Sequence, residues 1–132
     1  MYILCVCSGN TCRSPMAAAL VKKYVPGAKV DCAGLFVTEK NVSKNAVLAI
    51  KEEGMDISSY VPKNISAELL ARTDIILVMS AEHEAFLKRM TDKKIINLNC
   101  PDPFMGDIEI YKRTRDYLKN RILKLKADGC FD

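Results

Sequence analysis

The sequence contains no tryptophan and a single histidine, and it has no long hydrophobic run. No apolar stretch approaches the roughly 18–20 residues that a membrane-spanning helix needs. The apolar segment at residues 2–6 is too short for a signal peptide, lacks a basic leader and leads directly into a turn with glycine and asparagine. We therefore predict a cytoplasmic protein without a membrane partner.

Six cysteines are present, but none lies between Cys32 and Cys100. In a cytoplasmic protein we expect free thiols rather than disulfides. Cys5, Cys7 and Cys12 have neither CxxC spacing nor an accompanying pair of histidines. This pattern argues against a metal site.

The net charge of +4 is modest, and much of it comes from a basic C-terminal segment. The cations of this segment are Lys112, Arg113, Arg115, Lys119, Arg121, Lys124 and Lys126. We interpret the segment as the solvated face of a helix. Nucleic-acid binding is the alternative, but neither interleaved aromatic residues nor a recognised motif supports it. A mild positive field would also suit an anionic substrate.

The length of 132 residues and the hydrophobic content of 49% suit one domain over residues 1–132. Short strand-like segments at residues 2–6, 28–32, 75–79 and 94–98 alternate with helical patterns in the order β-α-β-α-α-β-α-β-α. The segment 75–79 is apolar on both faces, as in a central parallel strand. The sequence thus predicts a single-domain α/β fold, a four-stranded parallel sheet with helices on both faces.

Three features of the helices are also predicted. Ser43 and Ser66 are candidate N-caps, and the helix after Ser43 is expected to carry Val47, Leu48 and Ile50 on one side. The last helix has an apolar stripe at helical spacing, which we interpret as core. The stripe consists of Tyr111, Thr114, Leu118, Ile122 and Leu125.

The segment from Cys7 to Ser14 follows the first strand and opens a helix, at the edge of the sheet where α/β proteins bind ligands. Gly9 permits backbone conformations closed to other residues, and Asn10 tolerates the left-handed region. Backbone N–H groups can therefore turn inward at the positive end of the following helix and hold a phosphate. Arg13 can grip two phosphate oxygens at once.

Cys7 is the predicted nucleophile, because helix N-termini and nearby cations favour the thiolate form of cysteine. Ser14 can donate a hydrogen bond to the thiolate, and attack on a bound phosphate would give a cysteinyl-phosphate intermediate. Departure of the leaving group then requires a general acid. Asp102, held between Pro101 and Pro103 in the loop after the last strand, is the candidate. A purely structural strand-end cysteine is the alternative.

The motif CSGNTCRSP at residues 7–15, together with the later Asp102-Pro103-Phe104, resembles the low-molecular-weight protein tyrosine phosphatases. The likeness spans nearly the whole chain. It implies phosphorylated protein substrates, no metal and no organic cofactor, and we expect a monomer. The catalytic residues would be Cys7, Arg13 and Asp102. Substrate would be bound by Ser8, Gly9, Asn10, Thr11, Cys12, Ser14 and Phe104.

Within that family the sequence looks closest to the bacterial protein-arginine phosphatases. Thr11 stands where tyrosine-specific members usually have isoleucine, and Phe104 stands where they commonly have tyrosine. A threonine hydroxyl tolerates a planar guanidinium and can help to orient the attacking water, and an ionised Asp102 could pair with that guanidinium. We favour phosphoarginine as the substrate, with phosphotyrosine as the alternative.

Three positions depart from the family pattern: Ala18 replaces a frequent glutamate, Cys32 replaces a serine that often braces the loop asparagine, and Tyr60 falls near a common histidine. They leave open how the loop is supported. In the family, the two loop cysteines can also form a reversible protective disulfide, which would pair Cys7 with Cys12.

Two other functions are less favoured. Arsenate reductases of this fold need two further cysteines near the middle of the chain, where this sequence has none. Phosphate-carrier modules that are phosphorylated on a similar cysteine lack the loop arginine, so Arg13 argues against them. His83, the only histidine, is interpreted as a surface or packing residue rather than a catalytic one.

Overall fold

The computed structural model describes all 132 residues, and they form one four-stranded sheet with helices on both faces. Strands β1 (Tyr2–Cys7), β2 (Lys29–Gly34), β3 (Ile75–Val78) and β4 (Lys94–Asn97) pair in parallel throughout. Their order across the sheet is β2-β1-β3-β4. The predicted α/β fold is confirmed, and the apolar third strand is central as expected.

Five helices cover the sheet: α1 (Arg13–Tyr24), α2 (Lys44–Lys51), α3 (Ala67–Ala71), α4 (Ala81–Lys88) and α5 (Ile108–Ala127). Because side chains alternate along a strand, β1 contributes to two cores. One core contains residues of α1, α2 and α5, and the other contains residues of α3 and α4. No helix combines the length and the apolar character that crossing a membrane requires.

Two of the helix predictions are confirmed. The Ser66 Oγ accepts a hydrogen bond from the Leu69 backbone N–H at 3.1 Å, so it caps α3. The predicted stripe of α5 lies in the core, with only its last member partly exposed; its members are Tyr111, Thr114, Leu118, Ile122 and Leu125.

The prediction for α2 is wrong in detail. Leu48 is 43% exposed, whereas the buried positions are Ala46, Ala49 and Ile50. The face of α2 that packs on the core carries Ala46, Ala49 and Ile50, and Leu48 lies outside that face. Ser43 occupies the N-cap position, but its side chain makes no capping hydrogen bond and instead donates to the Tyr111 hydroxyl at 3.2 Å.

The basic segment lies on α5, and several of its cations are paired with carboxylates. Lys112 lies 3.2 Å from Glu52, and Lys119 lies 3.4 Å from Glu53. Arg115 is only 8% exposed and donates to the Ala49 carbonyl at 2.8 Å. The interpretation as a solvated face is therefore wrong for Arg115, which joins α5 to α2.

Candidate active site

The loop between β1 and α1 turns sharply at Asn10, whose φ of 57° lies in the left-handed region. Asparagine is one of the few residues besides glycine that visits this region routinely. Gly9, in contrast, has no positive φ, and a Cβ added there would meet nothing closer than 3.8 Å. The expectation that Gly9 supplies the special conformation is therefore wrong, because Asn10 alone does so.

The Asn10 side chain is completely buried and holds the loop from behind. Its Nδ2 donates to the Ser14 Oγ at 2.7 Å, and its Oδ1 accepts from the Lys63 backbone N–H at 3.0 Å and from the Tyr60 hydroxyl at 2.8 Å. The Tyr60 hydroxyl shares its proton with the Cys32 carbonyl, at 2.7 Å. Burial raises the pKa of Tyr60, and the neighbouring Cys32 raises it further, so this hydroxyl remains a donor. Tyr60 thus supports the loop at a position where the sequence departs from the family pattern.

Cys7 lies at the carboxyl end of β1 and is 2% exposed. Its Sγ lies 2.9 Å from the Ser14 Oγ and accepts from the Asn10 backbone N–H at 3.3 Å. The Asn10 side-chain amide donates to the Ser14 oxygen, so the Ser14 hydroxyl proton is free to point to an acceptor, and the Cys7 sulfur at 2.9 Å is nearer than the Ala33 carbonyl at 3.5 Å. Two donors therefore converge on the Cys7 sulfur, the Ser14 hydroxyl and the Asn10 backbone N–H.

Arg13 is 7% exposed, and its Nη1 donates to the Cys100 carbonyl at 3.0 Å. Its Nη2 lies 3.5 Å from the Asp102 Oδ2. The Phe104 backbone N–H donates to the other Asp102 oxygen at 3.0 Å, which fixes the carboxylate at the mouth of the site. The predicted acid, distant in sequence, thus lies beside the predicted phosphate clamp.

These groups surround a cavity of about 220 Å³. Eight of the predicted site residues line it: six from the loop after β1 and two from the loop between β4 and α5. The predicted members are Cys7, Ser8, Gly9, Thr11, Cys12, Arg13, Asp102 and Phe104. Asn10 and Ser14, which were also predicted to bind substrate, do not line the cavity. Their side chains are hydrogen-bonded to each other behind the loop, so they would affect the substrate through the loop.

Sequence reasoning missed Phe36, Thr38 and Glu39, which also line the cavity. They follow β2, so the rule that places sites at the carboxyl ends of parallel strands could have found them. Gly34, at the end of β2, lets the backbone after β2 lie close to the loop at Ser8. A Cβ there would lie 2.7 Å from the Ser8 carbonyl oxygen, a clash with backbone atoms.

The prediction that His83 is a surface or packing residue misses its contact with the loop. The side chain is 5% exposed, and its Nε2 lies 2.9 Å from the Ser8 Oγ. Burial lowers the pKa of His83, and the charge of Arg13 lowers it further, so the ring is neutral at physiological pH. No sequence pattern marks this contact, because 75 residues separate its partners.

All six cysteines are free thiols, but the environments differ. Burial raises the pKa of Cys12, of Cys32 to about 11 and of Cys100 to about 12. These three thiols therefore remain protonated at neutral pH. The Cys100 Sγ itself donates, to the Pro101 carbonyl at 3.4 Å, whereas the Cys7 Sγ accepts from the Asn10 backbone N–H.

Comparison with known proteins agrees with this geometry. The sequence model of the family described as low molecular weight phosphotyrosine protein phosphatase matches residues 2–128. A protein-arginine-phosphatase of Geobacillus stearothermophilus is 36% identical, over 93% of this chain and 92% of that protein. The low molecular weight protein-tyrosine-phosphatase Ptp of Acinetobacter johnsonii is 34% identical, over 85% and 86%.

A solved structure of the arginine phosphatase YwlE, a cysteine-to-serine mutant with a phosphorylated active-site serine, superimposes with a TM-score of 0.88. It is 30% identical and is matched over 100% of this chain and 97% of that chain. The chain therefore belongs to the low molecular weight phosphotyrosine protein phosphatase family and is a cysteine-based protein phosphatase.

Proposed function

We propose that this protein hydrolyses phosphoarginine residues in proteins through a phosphorylated Cys7. The observation that carries the proposal is the arrangement of three groups around one cavity: Cys7 with two donors to its sulfur, buried Arg13, and Asp102 at the mouth 3.5 Å from Arg13. This arrangement supplies a nucleophile, a phosphate clamp and an acid for one in-line displacement.

In the first step, the Cys7 thiolate attacks phosphorus while Arg13 and the loop N–H groups hold the equatorial oxygens. The P–N bond to the substrate guanidino group breaks, and Asp102 delivers a proton to the departing nitrogen. The products are the phosphorylated cysteine and a protein with unmodified arginine. The position of Asp102 at the cavity mouth, half exposed, supports this role.

In the second step, Asp102, now ionised, takes a proton from water as the water attacks the phosphorylated Cys7. The P–S bond breaks, the thiolate is restored and inorganic phosphate leaves. Donors from Ser14 and Asn10 stabilise the sulfur as a leaving group, just as they stabilise it as a nucleophile. The Thr11 hydroxyl borders the same cavity and can help to orient the water.

The preference for phosphoarginine is supported by the polar part of the lining. Thr11 offers a hydroxyl, and the carboxylate of Glu39 offers an acceptor that suits a guanidinium group. Glu39 is exposed and makes no ion pair, so its charge is available to a substrate. Phe36 and Phe104 are the reason to retain phosphotyrosine as the second candidate, because their exposed rings border the same cavity and could stack on a phenyl ring.

We also propose that the enzyme acts as a monomer in the cytoplasm, on phosphorylated proteins and without a cofactor. The mechanism requires a free Cys7 thiol beside Cys12, and a reducing compartment keeps such a pair reduced.

The test compares kcat/KM for peptides of the same sequence that carry phosphoarginine or phosphotyrosine. We expect the parent to prefer phosphoarginine, Thr11→Ser to retain that preference, and the isosteric Thr11→Val and the larger Thr11→Ile to shift it toward phosphotyrosine by about tenfold or more. Thr11→Ser is the matched control, since it keeps the hydroxyl and loses only the methyl group. A parent active on phosphotyrosine alone would contradict the arginine assignment.

A further inference from the structure

His83 is not one of the predicted catalytic residues, but from α4 it contacts the loop between Cys7 and Ser14. It occupies the first turn of α4, where Ser80 caps the helix by accepting from the His83 backbone N–H at 3.2 Å. The cap and the burial of the ring fix the side chain in position. Its Nε2 lies 2.9 Å from the Ser8 Oγ, which has no other hydrogen-bond partner.

The second ring nitrogen decides which atom is the donor. The His83 Nδ1 is buried and has no hydrogen-bond partner. A proton on Nδ1 would be a buried N–H without an acceptor, which native proteins tolerate less often than an under-used acceptor. The neutral ring therefore carries its proton on Nε2, which donates to the Ser8 Oγ.

The donor assignment has a consequence for Ser8. Since its oxygen accepts from His83, its own proton cannot point to that ring. Ser8 lines the catalytic cavity together with Cys7 and Arg13. The remaining direction that offers an acceptor is the cavity, where a phosphate oxygen would lie.

We propose that His83 is a positioning residue that turns the Ser8 hydroxyl proton toward the bound phosphate. The inference rests on the proposed function, because it assumes that phosphate occupies this cavity. The charged groups that face His83 are Arg13, Glu82 and Asp102. Burial and Arg13 lower the pKa of the ring while the two carboxylates raise it, and the net lowering keeps the ring neutral, the state in which the unpartnered Nδ1 carries no proton.

The test uses His83→Gln and His83→Asn with p-nitrophenyl phosphate as substrate and inorganic phosphate as competing ligand. The longer glutamine side chain can bring an N–H to the Ser8 Oγ, whereas asparagine, which is equally polar, is too short. Because a phosphate contact acts in the ground state and the transition state alike, we expect KM and the phosphate inhibition constant to rise about tenfold in His83→Asn, with kcat changed less than about twofold. His83→Gln should restore both constants.

A double-mutant cycle with Ser8→Ala separates positioning from general structural support. If His83 acts through Ser8, His83→Asn should add little to the effect of Ser8→Ala. An equal loss in both backgrounds, or a kcat loss that His83→Gln does not rescue, would overturn the proposal. If the His83 variants fail to fold, Ser8→Ala by itself still tests the proposal. Unchanged KM and unchanged phosphate affinity in Ser8→Ala would overturn it.

The binding of inorganic phosphate, measured by calorimetry, distinguishes this inference from the proposed function. A parent that hydrolyses neither p-nitrophenyl phosphate nor a phosphoarginine peptide contradicts the function. Phosphate affinity that falls in His83→Asn and returns in His83→Gln still supports the positioning role, and equal affinity in all three proteins contradicts it.

Discussion

Replacing Asn10 should destabilise the protein more than almost any other polar substitution. The side chain makes one buried hydrogen bond, to Ser14, and two partly buried ones, to Lys63 and Tyr60, each with a net value of about 1 kcal/mol. The backbone at φ 57° adds about 1–2 kcal/mol of strain for alanine. We therefore expect Asn10→Ala to lower the free energy of unfolding by about 4 kcal/mol, a large part of the roughly 5–15 kcal/mol of a typical domain.

Asn10→Gly is the matched control for the backbone contribution. Glycine also loses the three hydrogen bonds, but it adopts the left-handed conformation without steric strain. We expect it to be destabilised by about 3 kcal/mol, so that the difference between the two variants reports the strain. Tyr60→Phe, which removes only one hydroxyl, should cost about 1 kcal/mol.

Urea unfolding, monitored by circular dichroism, measures the free energy of unfolding of Asn10→Ala, Asn10→Gly and Tyr60→Phe. The two Asn10 variants should also have a lower kcat/KM, because Asn10 orients Ser14 against the Cys7 sulfur. The reasoning is refuted if Asn10→Ala and Asn10→Gly are equally stable and each costs less than about 1 kcal/mol. That result would mean that the buried network does not hold the loop.

Three further outcomes follow from the site. Among the five buried cysteines, iodoacetamide near pH 7 should modify Cys7 first, as mapped by mass spectrometry. Cys32 and Cys100 stay protonated until the pH approaches their pKa values of about 11 and 12, and labelling of Cys100 before Cys7 would contradict this. Cys12→Ser should recover less activity than the parent after peroxide followed by thiol, since an oxidised Cys7 could no longer condense with Cys12 and lose water; equal recovery would exclude the disulfide. Gly34→Ala should lower kcat/KM at least tenfold, because the added Cβ would clash with the Ser8 carbonyl oxygen. Unchanged activity would contradict this and show that the loop can shift away from the Cβ without loss of function.

The sequence predicts the fold and the residues of the loop at the end of β1 because both depend on local patterns. Strand β3 is an uninterrupted apolar run, and the segment from Cys7 to Ser14 carries its residues at fixed spacing between a strand and a helix. Asp102 was found because the end of β4 lies at the same edge of a parallel sheet as the end of β1.

The features that sequence reasoning missed depend on contacts between distant segments. Periodicity predicts Leu48 on the core side of α2, but the tertiary packing buries the face with Ala46, Ala49 and Ile50 and leaves Leu48 exposed. The residue types named both Gly9 and Asn10 as special backbone positions, but only Asn10 has a positive φ, and its contacts with Tyr60 and Lys63 hold it there. The hydrogen bond between His83 and Ser8 joins α4 to the loop after β1, so no local sequence pattern predicts it.

The most direct test of the account asks whether position 7 accepts the phosphoryl group. Cys7→Ser should be incubated with a phosphoarginine protein and then mapped by peptide mass spectrometry, because an ester to serine is stable where a phosphocysteine is hydrolysed. The account predicts one phosphoryl group at position 7, loss of steady-state turnover, and no such label in Cys12→Ser. Turnover by Cys7→Ser close to that of the parent, or a phosphoryl group on a different side chain, would contradict it.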